Sequence, residues 1–596
     1  MTSPEPTNAS PTLLLDAALI SRLRNDLTAA GWTASGVAEL LSPMALAAMR
    51  RDQFVPAAME LESDGCSAAV LTRLFMLAEP VEGAAIESAL PSLTVASAKK
   101  LGLVEQVAPG SSKFTARVDL RPYQGEFSEC RGDLAEGPGG ALHWWVASDL
   151  SQAQTGEAPR EDYVLGIASA SNNLARLTLR DPVDSALDLG CGCGVLALQL
   201  TSHAKRVVAS DISERACNFT RFNALLNEAD IDVRQGSFFE PVTGERFDLI
   251  TSNPPFVITP QAARGNGTLE YRDGGMERDQ LIPLIVREAV THLAPGGTLQ
   301  MLANWEVRGN EFEWNVRPKR WIEQAAEGAM AEGWSVDAWL VQRDLLDVAQ
   351  YAEWWIRDGL GARVVPDEWH AEYRKWIEDF ESAGTKFVGL GSLAMRVGVM
   401  RTDRVHDSTA QSIGGPAITK GGGSDDASLS ASGPGATDLE EPSTGSGSAT
   451  RSARQHLSRP GTAHLSLVCE YLPEGKPVDS LAVRTALDNL SLPDGWVDVP
   501  LVRAPDVREV RYFVPGSADP ELIHITQGRA GGRERSVTSA VAALIGVSDG
   551  ELAPAQVIPT IAMLLEQEEK AVQAEIETAL PELLRSGVAQ FSHVSR

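Results

Sequence analysis

Apolar residues recur at helical spacing over the first hundred positions, and that period changes twice further on. LLLDAALISRLRNDLTAAG, from Leu13 to Gly31, puts apolar side chains three and four apart and stops at glycine. This predicts an amphipathic helix with a C-terminal stop. VAELLSPMALAAMRRD continues the pattern past Pro43, and further short helices are predicted to Val107. The region from Leu13 reads either as a winged-helix-like module or as a helical bundle that packs on its neighbour. From Lys113 the spacing becomes alternating: FTARVDLRPY and ALHWWVASDL predict strands. A strand sends the adjacent Trp144 and Trp145 to opposite faces, one into the core and the other free to flank a substrate. Asp162 to Leu179 predicts a helix that could act as a lid. From Asp184 to Val399 strand-like and helix-like runs alternate: SALDLG, VLALQLTSHA, RVVASD, ERACNFTRFNALLNE, FDLITSN, QLIPLIVREAVTHLA, TLQMLAN, SVDAWLVQR and KFVGLGSLAMRV among them. Such alternation implies an α/β domain with a mostly parallel sheet covered on both faces. Two amphipathic helices bearing Trp354, Trp355, Trp369 and Trp376 interrupt its last strands; tryptophan at helical spacing reads first as core, with a substrate-contacting insertion as the lesser reading.

Composition then sets the boundaries. The predicted organisation is a disordered tail (1–12), a mainly helical domain (13–110), a β-rich connector (111–161) and the alternating domain (162–400) with a helical insertion (345–382). After it come a Gly/Ser/Asp-rich linker (401–460) and an α+β domain (461–596). The linker has too few large apolar residues to offset the entropy of ordering, so disorder is expected. The last domain shows no catalytic constellation and reads as a docking module or a stabilising appendage. A length of 596 residues implies several cores. No apolar run reaches the roughly 18 residues of a membrane span, and the polar, proline-broken start lacks a signal pattern, so the expected location is cytoplasmic. Six cysteines in so long a chain are not a disulfide framework. With no C-x-x-C and no H-x-x-x-H, no metal site is expected. The net charge of −28 repels polyanions at long range, which favours a protein partner over RNA without excluding RNA.

Two motifs carry chemistry. Asp188-Leu189-Gly190-Cys191-Gly192-Cys193-Gly194 follows a predicted strand and opens a predicted helix. Glycines there let the backbone approach a ligand closely. The dinucleotide pattern wants Gly or Ala at the position of Val195, and Asp188 would repel a phosphate. A cationic ligand suits the turn better. Asp211 ends the next strand, where its carboxylate can accept from both hydroxyls of a ribose. The second motif, Asn253-Pro254-Pro255-Phe256, ends the strand FDLITSN. An amide nitrogen is a poor nucleophile because its lone pair is delocalised. Two acceptors, the Asn253 side-chain oxygen and the Pro254 carbonyl, can take both of its N–H groups and free that lone pair. Prolines stiffen the corner, and Phe256 can stack on a planar group.

Together these motifs resemble those of class I S-adenosylmethionine-dependent methyltransferases, in the small-methyltransferase group that holds release-factor glutamine and ribosomal RNA amine methyltransferases. The resemblance spans about Asp162 to Val399, with flanks like those of an actinobacterial subgroup. It implies a Rossmann-like, mostly parallel seven-stranded sheet. It implies that Asp188, Gly190, Cys191, Gly192 and Gly194 hold the methionine part of S-adenosylmethionine, that Asp211 binds the ribose, and that Ile212 lies beside the adenine. Phe238 would pack on the adenine ring. Ser237 departs from the acid that relatives often place there. Asn253, Pro254, Pro255 and Phe256 would hold the acceptor. Apart from the resemblance, the glycines and mixed charges of Gly265 to Asp279 suggest either a mobile loop over the substrate, with Tyr271 and Arg272 as candidate contacts, or a solvated surface loop. The expected activity is N-methylation of a protein glutamine amide, presented on a loop. The alternatives are an exocyclic amine of a structured RNA and, as a lesser one, a catalytically degenerate scaffold.

Overall fold

In the alternating segment, strands β1 (Val183–Leu189), β2 (Ala204–Asp211), β3 (Ile231–Gln235), β4 (Phe247–Ser252), β5 (Leu293–Arg308), β6 (Trp334–Asp347) and β7 (Thr385–Val399) share one sheet. An eighth strand, β8 (Leu465–Tyr471), completes it, in the order β8-β6-β7-β5-β4-β1-β2-β3. The pairs β3–β2, β2–β1, β1–β4, β4–β5 and β6–β8 are parallel, and β7 runs antiparallel between β5 and β6. The computed structural model describes residues 12–125, 142–266, 271–309, 311, 313–360, 365–399, 465–472, 478–490, 492, 495–527 and 533–592. The expected linker 401–460, and the tail 1–12 apart from Thr12, lie outside those residues. Among the described residues no helix is long and apolar enough to cross a membrane.

The two-residue period of a strand explains both apolar faces of the sheet. Leu187, Leu189, Val208 and Ile250 face helices α4 (Leu281–His292) and α5 (Val316–Ala331). Their neighbours Ala186, Ala209 and Leu249 face α2 (Val195–Leu200), with Ala197 and Leu200 between. The helices α1 (Ser169–Leu177) and α3 (Glu214–Leu226) bury Leu174, Ala175, Phe219 and Phe222 in one cluster with Leu196 and Leu198 of α2. The insertion is α6 (Val348–Leu360) and α7 (Pro366–Ala383). Its buried Tyr351, Trp376 and Phe380 pack against Val257 and Ile258, just beyond the Asn-Pro-Pro-Phe corner. Trp354, by contrast, is 52% exposed and is not core.

Short helices between Ala17 and Leu101 share the N-terminal region with an antiparallel sheet in the order Val81–Glu82, Lys113–Ala116, Val104–Gln106; its first strand precedes the last two helices, and the hairpin follows them. This sheet crosses the boundary expected at 110. The region has no separate core: Leu23, Trp32 and Phe75 belong to one cluster with Leu196, Phe219 and Phe222 of α2 and α3. The hairpin Asp119–Gln124/His143–Ser148 docks on α3 through two asparagines one turn apart. Asn227 exchanges hydrogen bonds with the backbone of Trp145 (2.9 and 2.8 Å), and Asn223 does so with Ala147 (2.8 Å each). A helical turn of about 5.4 Å and two strand residues of about 6.7 Å are close enough in length for this match. Trp144 is buried, and Trp145 donates its indole N–H to Trp32 O at 2.7 Å. Trp145 therefore joins the N-terminal helices to the hairpin and does not flank a substrate.

The helix expected over 162–179 is shorter, at Ser169–Leu177. Asp149 holds the residues before it extended. Its backbone N–H donates to Val164 O (3.2 Å), its carboxylate accepts from Val164 N–H (2.8 Å), and Arg215 pairs with the same carboxylate. Gly166 allows the close approach, since a Cβ there would lie 2.6 Å from Ser148 Oγ. After β8, α8 (Ser480–Asp488) packs Val483, Ala486 and Leu487 on Trp339 and Val341 of β6. The remaining helices, Ser539–Val547, Pro554–Leu564 and Glu569–Arg585, enclose their own core with Trp496 and Ile525. The chain leaves the helical conformation between Leu564 and Glu569, where Glu566 is left-handed (φ +53°).

Candidate active site

A cavity of about 420 Å3 opens where β1, β2 and β4 end at their carboxyl edges. Strand order reverses between β1 and β4 there, the place where open α/β sheets accept ligands. Its volume lies within the roughly 300–1,000 Å3 typical of small-molecule sites. Its walls include Gly190, Cys191, Gly192, Asp211, Ile212, Ser237, Phe238, Asn253, Pro254 and Pro255, from four separate stretches of chain.

The glycine turn is held from β2. Gly190 and Cys191 N–H both donate to Ser210 O (2.8 and 3.0 Å). Gly190, Gly192 and Gly194 all have left-handed backbones (φ +77°, +54° and +80°), which side chains with a Cβ disfavour. At Gly194 crowding adds to this, because a Cβ would stand 2.8 Å from Thr220 Cγ2. The Asp211 oxygens accept from Gly192 N–H and Ser213 N–H, each at 2.9 Å, which orients the carboxylate at the cavity wall. Ile212 next to it is an apolar side chain left 66% exposed. Gly236, Ser237 and Phe238 line the cavity beside Asp211, with Gly236 N–H donating to Asp211 O at 2.9 Å. Phe238 adopts φ +47°, a strained conformation for an aromatic residue.

Asp188 is fully buried behind the turn and does not line the cavity. Its Oδ2 accepts from Ala197 N–H at 2.9 Å. Burial, with the negative Asp211 nearby, raises its carboxyl to about 7. The thiol of Cys193 is likewise pushed up by burial, to about 12, and that of Cys191 well above its usual value. Neither thiol is a nucleophile at neutral pH.

The Asn253 corner is built from several directions. Ser252 Oγ donates to Leu189 O at 2.8 Å, tying β4 to β1. Asn253 Nδ2 donates to Ser171 Oγ on α1 at 3.4 Å. Asn253 Oδ1 is buried and accepts no hydrogen bond among the described residues; Ser210 Oγ, also on the cavity wall, is in the same state. Pro254 and Pro255 line the cavity, whereas Phe256 does not. Phe256 pairs through its backbone with Asp273 and packs its ring between the central core and the insertion. The insertion holds this region from behind: Tyr351 Oη accepts from Ile258 N–H and from Asn304 Nδ2, each at 3.0 Å.

The loop beyond the corner closes the cavity with Tyr271, Asp273, Gly274 and Gly275. Tyr271 Oη donates to Asp358 Oδ2 at 2.5 Å, and Arg272 donates to Trp355 O at 2.9 Å. Arg272 thus braces the loop while Tyr271 reaches the wall. The Tyr271 ring meets Tyr163 edge-on at 5.4 Å between centroids. Burial raises both phenols, so both stay neutral donors. Tyr163 to Gly166 and Ser171 were not legible as site residues, for they come from before the glycine turn and bear no motif. None of the described residues lining the cavity is lysine or arginine.

Comparison with known proteins places this geometry. Residues 167–313 match the methyltransferase small domain, and residues 29–115 match a domain of unknown function (DUF7059). A Methanocaldococcus jannaschii chain named for protein N5-glutamine methyltransferase activity is 30% identical over 146 residues, covering 24% of this chain and 70% of that one. Ribosomal RNA small subunit methyltransferase C of Enterobacter sp. (strain 638) is 38% identical over 120 residues, 20% of this chain and 30% of that one. Release factor glutamine methyltransferase of Xylella fastidiosa is 33% identical over 128 residues, 20% of this chain and 46% of that one. The chain therefore spans under half the length of the latter two relatives.

Proposed function

The chain belongs to the small-methyltransferase family, and from that premise we propose that it methylates the side-chain amide of a protein glutamine, with S-adenosylmethionine as donor. The observation that carries the reading is Asn253 Oδ1, an acceptor buried at the cavity wall without a donor. Such an atom costs about 1–3 kcal/mol when left unsatisfied, a cost that a substrate N–H removes on binding.

The cavity's residues fit the donor. Asp188 is a buried carboxyl with no cation paired to it among the described residues, and a positively charged ligand at the turn would favour its ionised form. Ile212 offers exposed apolar surface beside Asp211, and Phe238 faces the same space. Gly190 to Gly194 would hold the amino-acid part, Asp211 the ribose hydroxyls, and Ile212, Ser237 and Phe238 the base. When bound, the donor supplies an electrophilic methyl group.

The chain's own residues do the rest. Asn253 Oδ1 and the Pro254 carbonyl accept the two N–H groups of the acceptor amide, which withdraws its lone pair from conjugation. Pro254 and Pro255 hold that corner rigid, so alignment is achieved before the reaction. Tyr163 and Tyr271 narrow the mouth and exclude water. The methylated nitrogen is strongly acidic and releases its proton to water without a dedicated base.

An RNA base amine is the second reading, supported by the ribosomal RNA relative. The absence of lysine and arginine from the described lining and the charge of −28 weigh against it. The test is incubation of a lysate from cells lacking the gene with labelled S-adenosylmethionine and purified protein. Counts are expected in the protein fraction, as N5-methylglutamine after hydrolysis under mild conditions, and are expected to fall steeply, to a measurable residual rate, with Asn253→Ala. Counts confined to RNA would replace the glutamine with a base. No transfer to either fraction, with no affinity for the donor by calorimetry, would leave a scaffold.

A further inference from the structure

We infer that Ser171 is a positioning residue for methyl transfer: by accepting from Nδ2 it anchors the Asn253 carboxamide and leaves Oδ1 for the acceptor nitrogen. The inference rests on the proposed role of Asn253. A side-chain amide presents a donor at one end and an acceptor at the other. Only the acceptor end can take a substrate N–H; the donor end would oppose it. In the structure Nδ2 donates to Ser171 Oγ at 3.4 Å, and Oδ1 has no protein donor among the described residues. Ser171 is 8% exposed and lines the same cavity as Asn253. Without the hydroxyl, Nδ2 would face an apolar group and the amide plane would be free to turn.

The serine can serve as a reference point because α1 is held independently of the corner. Gln300 on β5 clamps the helix's C-terminal end, with Nε2 donating to Leu177 O and Oε1 accepting from Leu179 N–H, both at 2.7 Å. One residue past Ser171, Asn172 Oδ1 accepts from Tyr123 Oη at 2.9 Å, and Tyr123 Oη accepts from Gln199 at 2.7 Å. Leu174 and Ala175 bury the inner face of the helix. The contact therefore joins two elements 82 residues apart in the chain. As substrate enters, its N–H groups and Ser171 Oγ would grip opposite ends of one amide.

The experiment compares five proteins: wild type, Ser171→Ala, Ser171→Thr, Asn253→Ala and the double alanine variant. It measures the initial rate of methyl transfer from saturating labelled S-adenosylmethionine into whichever lysate fraction the wild type labels. Calorimetry with S-adenosylhomocysteine reports the cofactor site separately. Ser171→Ala is expected to lower the saturated rate about tenfold, the order of one lost orienting hydrogen bond, with unchanged cofactor affinity. Ser171→Thr is expected to recover most of the rate, since it keeps the hydroxyl. The double variant is expected to match Asn253→Ala alone, because the serine acts only through the asparagine. A wild-type rate in Ser171→Ala, a loss matched by lost cofactor affinity, or a double variant slowed by the product of the single effects would overturn the inference. If Asn253→Ala itself kept the wild-type rate, the role proposed for the asparagine would fail first, and that result is distinct from the other three.

Discussion

Asp188 carries the clearest residue-level consequence. Burial raises its carboxyl to about 7, with Asp211 adding repulsion and the Ala197 N–H and Thr251 hydroxyl opposing the shift. The free protein therefore holds a proton there well above the usual carboxylate range. Stability from this group is full below the unfolded value and is lost as pH rises through about 7. A cation bound at the turn lowers the pKa, so binding below about 7 expels the proton. Affinity for S-adenosylmethionine should rise with pH toward 7 and then level off. Calorimetry at pH 6 in buffers of different ionisation enthalpy should show proton release, and Asp188→Asn should abolish it; buffer-independent heats for the wild type would refute the linkage. Among the residues proposed for the site, Asp188, Gly190, Asp211 and Asn253 stand out in the sequence because each belongs to a local motif. Ser171, Ser210 and Tyr163 do not, since each acquires its role from atoms brought there by a different element. Phe256 errs in the other direction. Its motif implied a ring on the acceptor, but pairing with Asp273 turns the residue toward the core.

At the scale of elements, alternation in the chain was enough to place β1 to β7, and its errors are instructive. The helix expected from Asp162 begins only at Ser169, because Asp149 and Gly166 hold the intervening segment against a neighbouring strand end. Gly389 and Gly391 lie on β7. In the folded sheet they make room for the fully buried Trp305 on β5: a Cβ would lie 2.3 Å from its Nε1 at position 389, and 2.7 Å from its Cη2 at position 391. Gly391→Ala would also press on Val341 O, at 2.0 Å. Overpacking of this kind costs about 1–3 kcal/mol, so the thermal midpoint should fall by several degrees, on the order of 2–4 °C per kcal/mol for a domain of this size. Calorimetric melting checks this; an unchanged midpoint would mean that Trp305 moves freely, contrary to its packing.

The whole molecule is more continuous than its composition implied. Residues beyond the linker re-enter the catalytic sheet: β8 pairs in parallel with β6 from Val336↔Leu465 to Gln342↔Tyr471. α8 then covers Trp339 and Val341 and reaches Leu177 and Leu179 at the end of α1, and Arg484 pairs with Asp181. The last segment thus backs the helix that carries Ser171. Deleting 456–596 should bare the hydrogen-bonding edge of β6 and its apolar face, a combination that promotes association. Size exclusion with light scattering should find oligomers or aggregate and a lowered melting point. A monodisperse monomer that melts like the full chain would show this segment to be a detachable appendage.

The sequence by itself determined the α/β alternation, the glycine turn proposed to receive a cofactor and the corner proposed to receive a nitrogen, because periodicity and backbone conformation are local properties. Only the tertiary structure decided which strand protects the sheet edge, which serine steadies the asparagine and which tyrosines close the mouth. Those are pairings between residues far apart in the chain, and their energy comes from shared burial and hydrogen bonds that no local stretch of the chain contains.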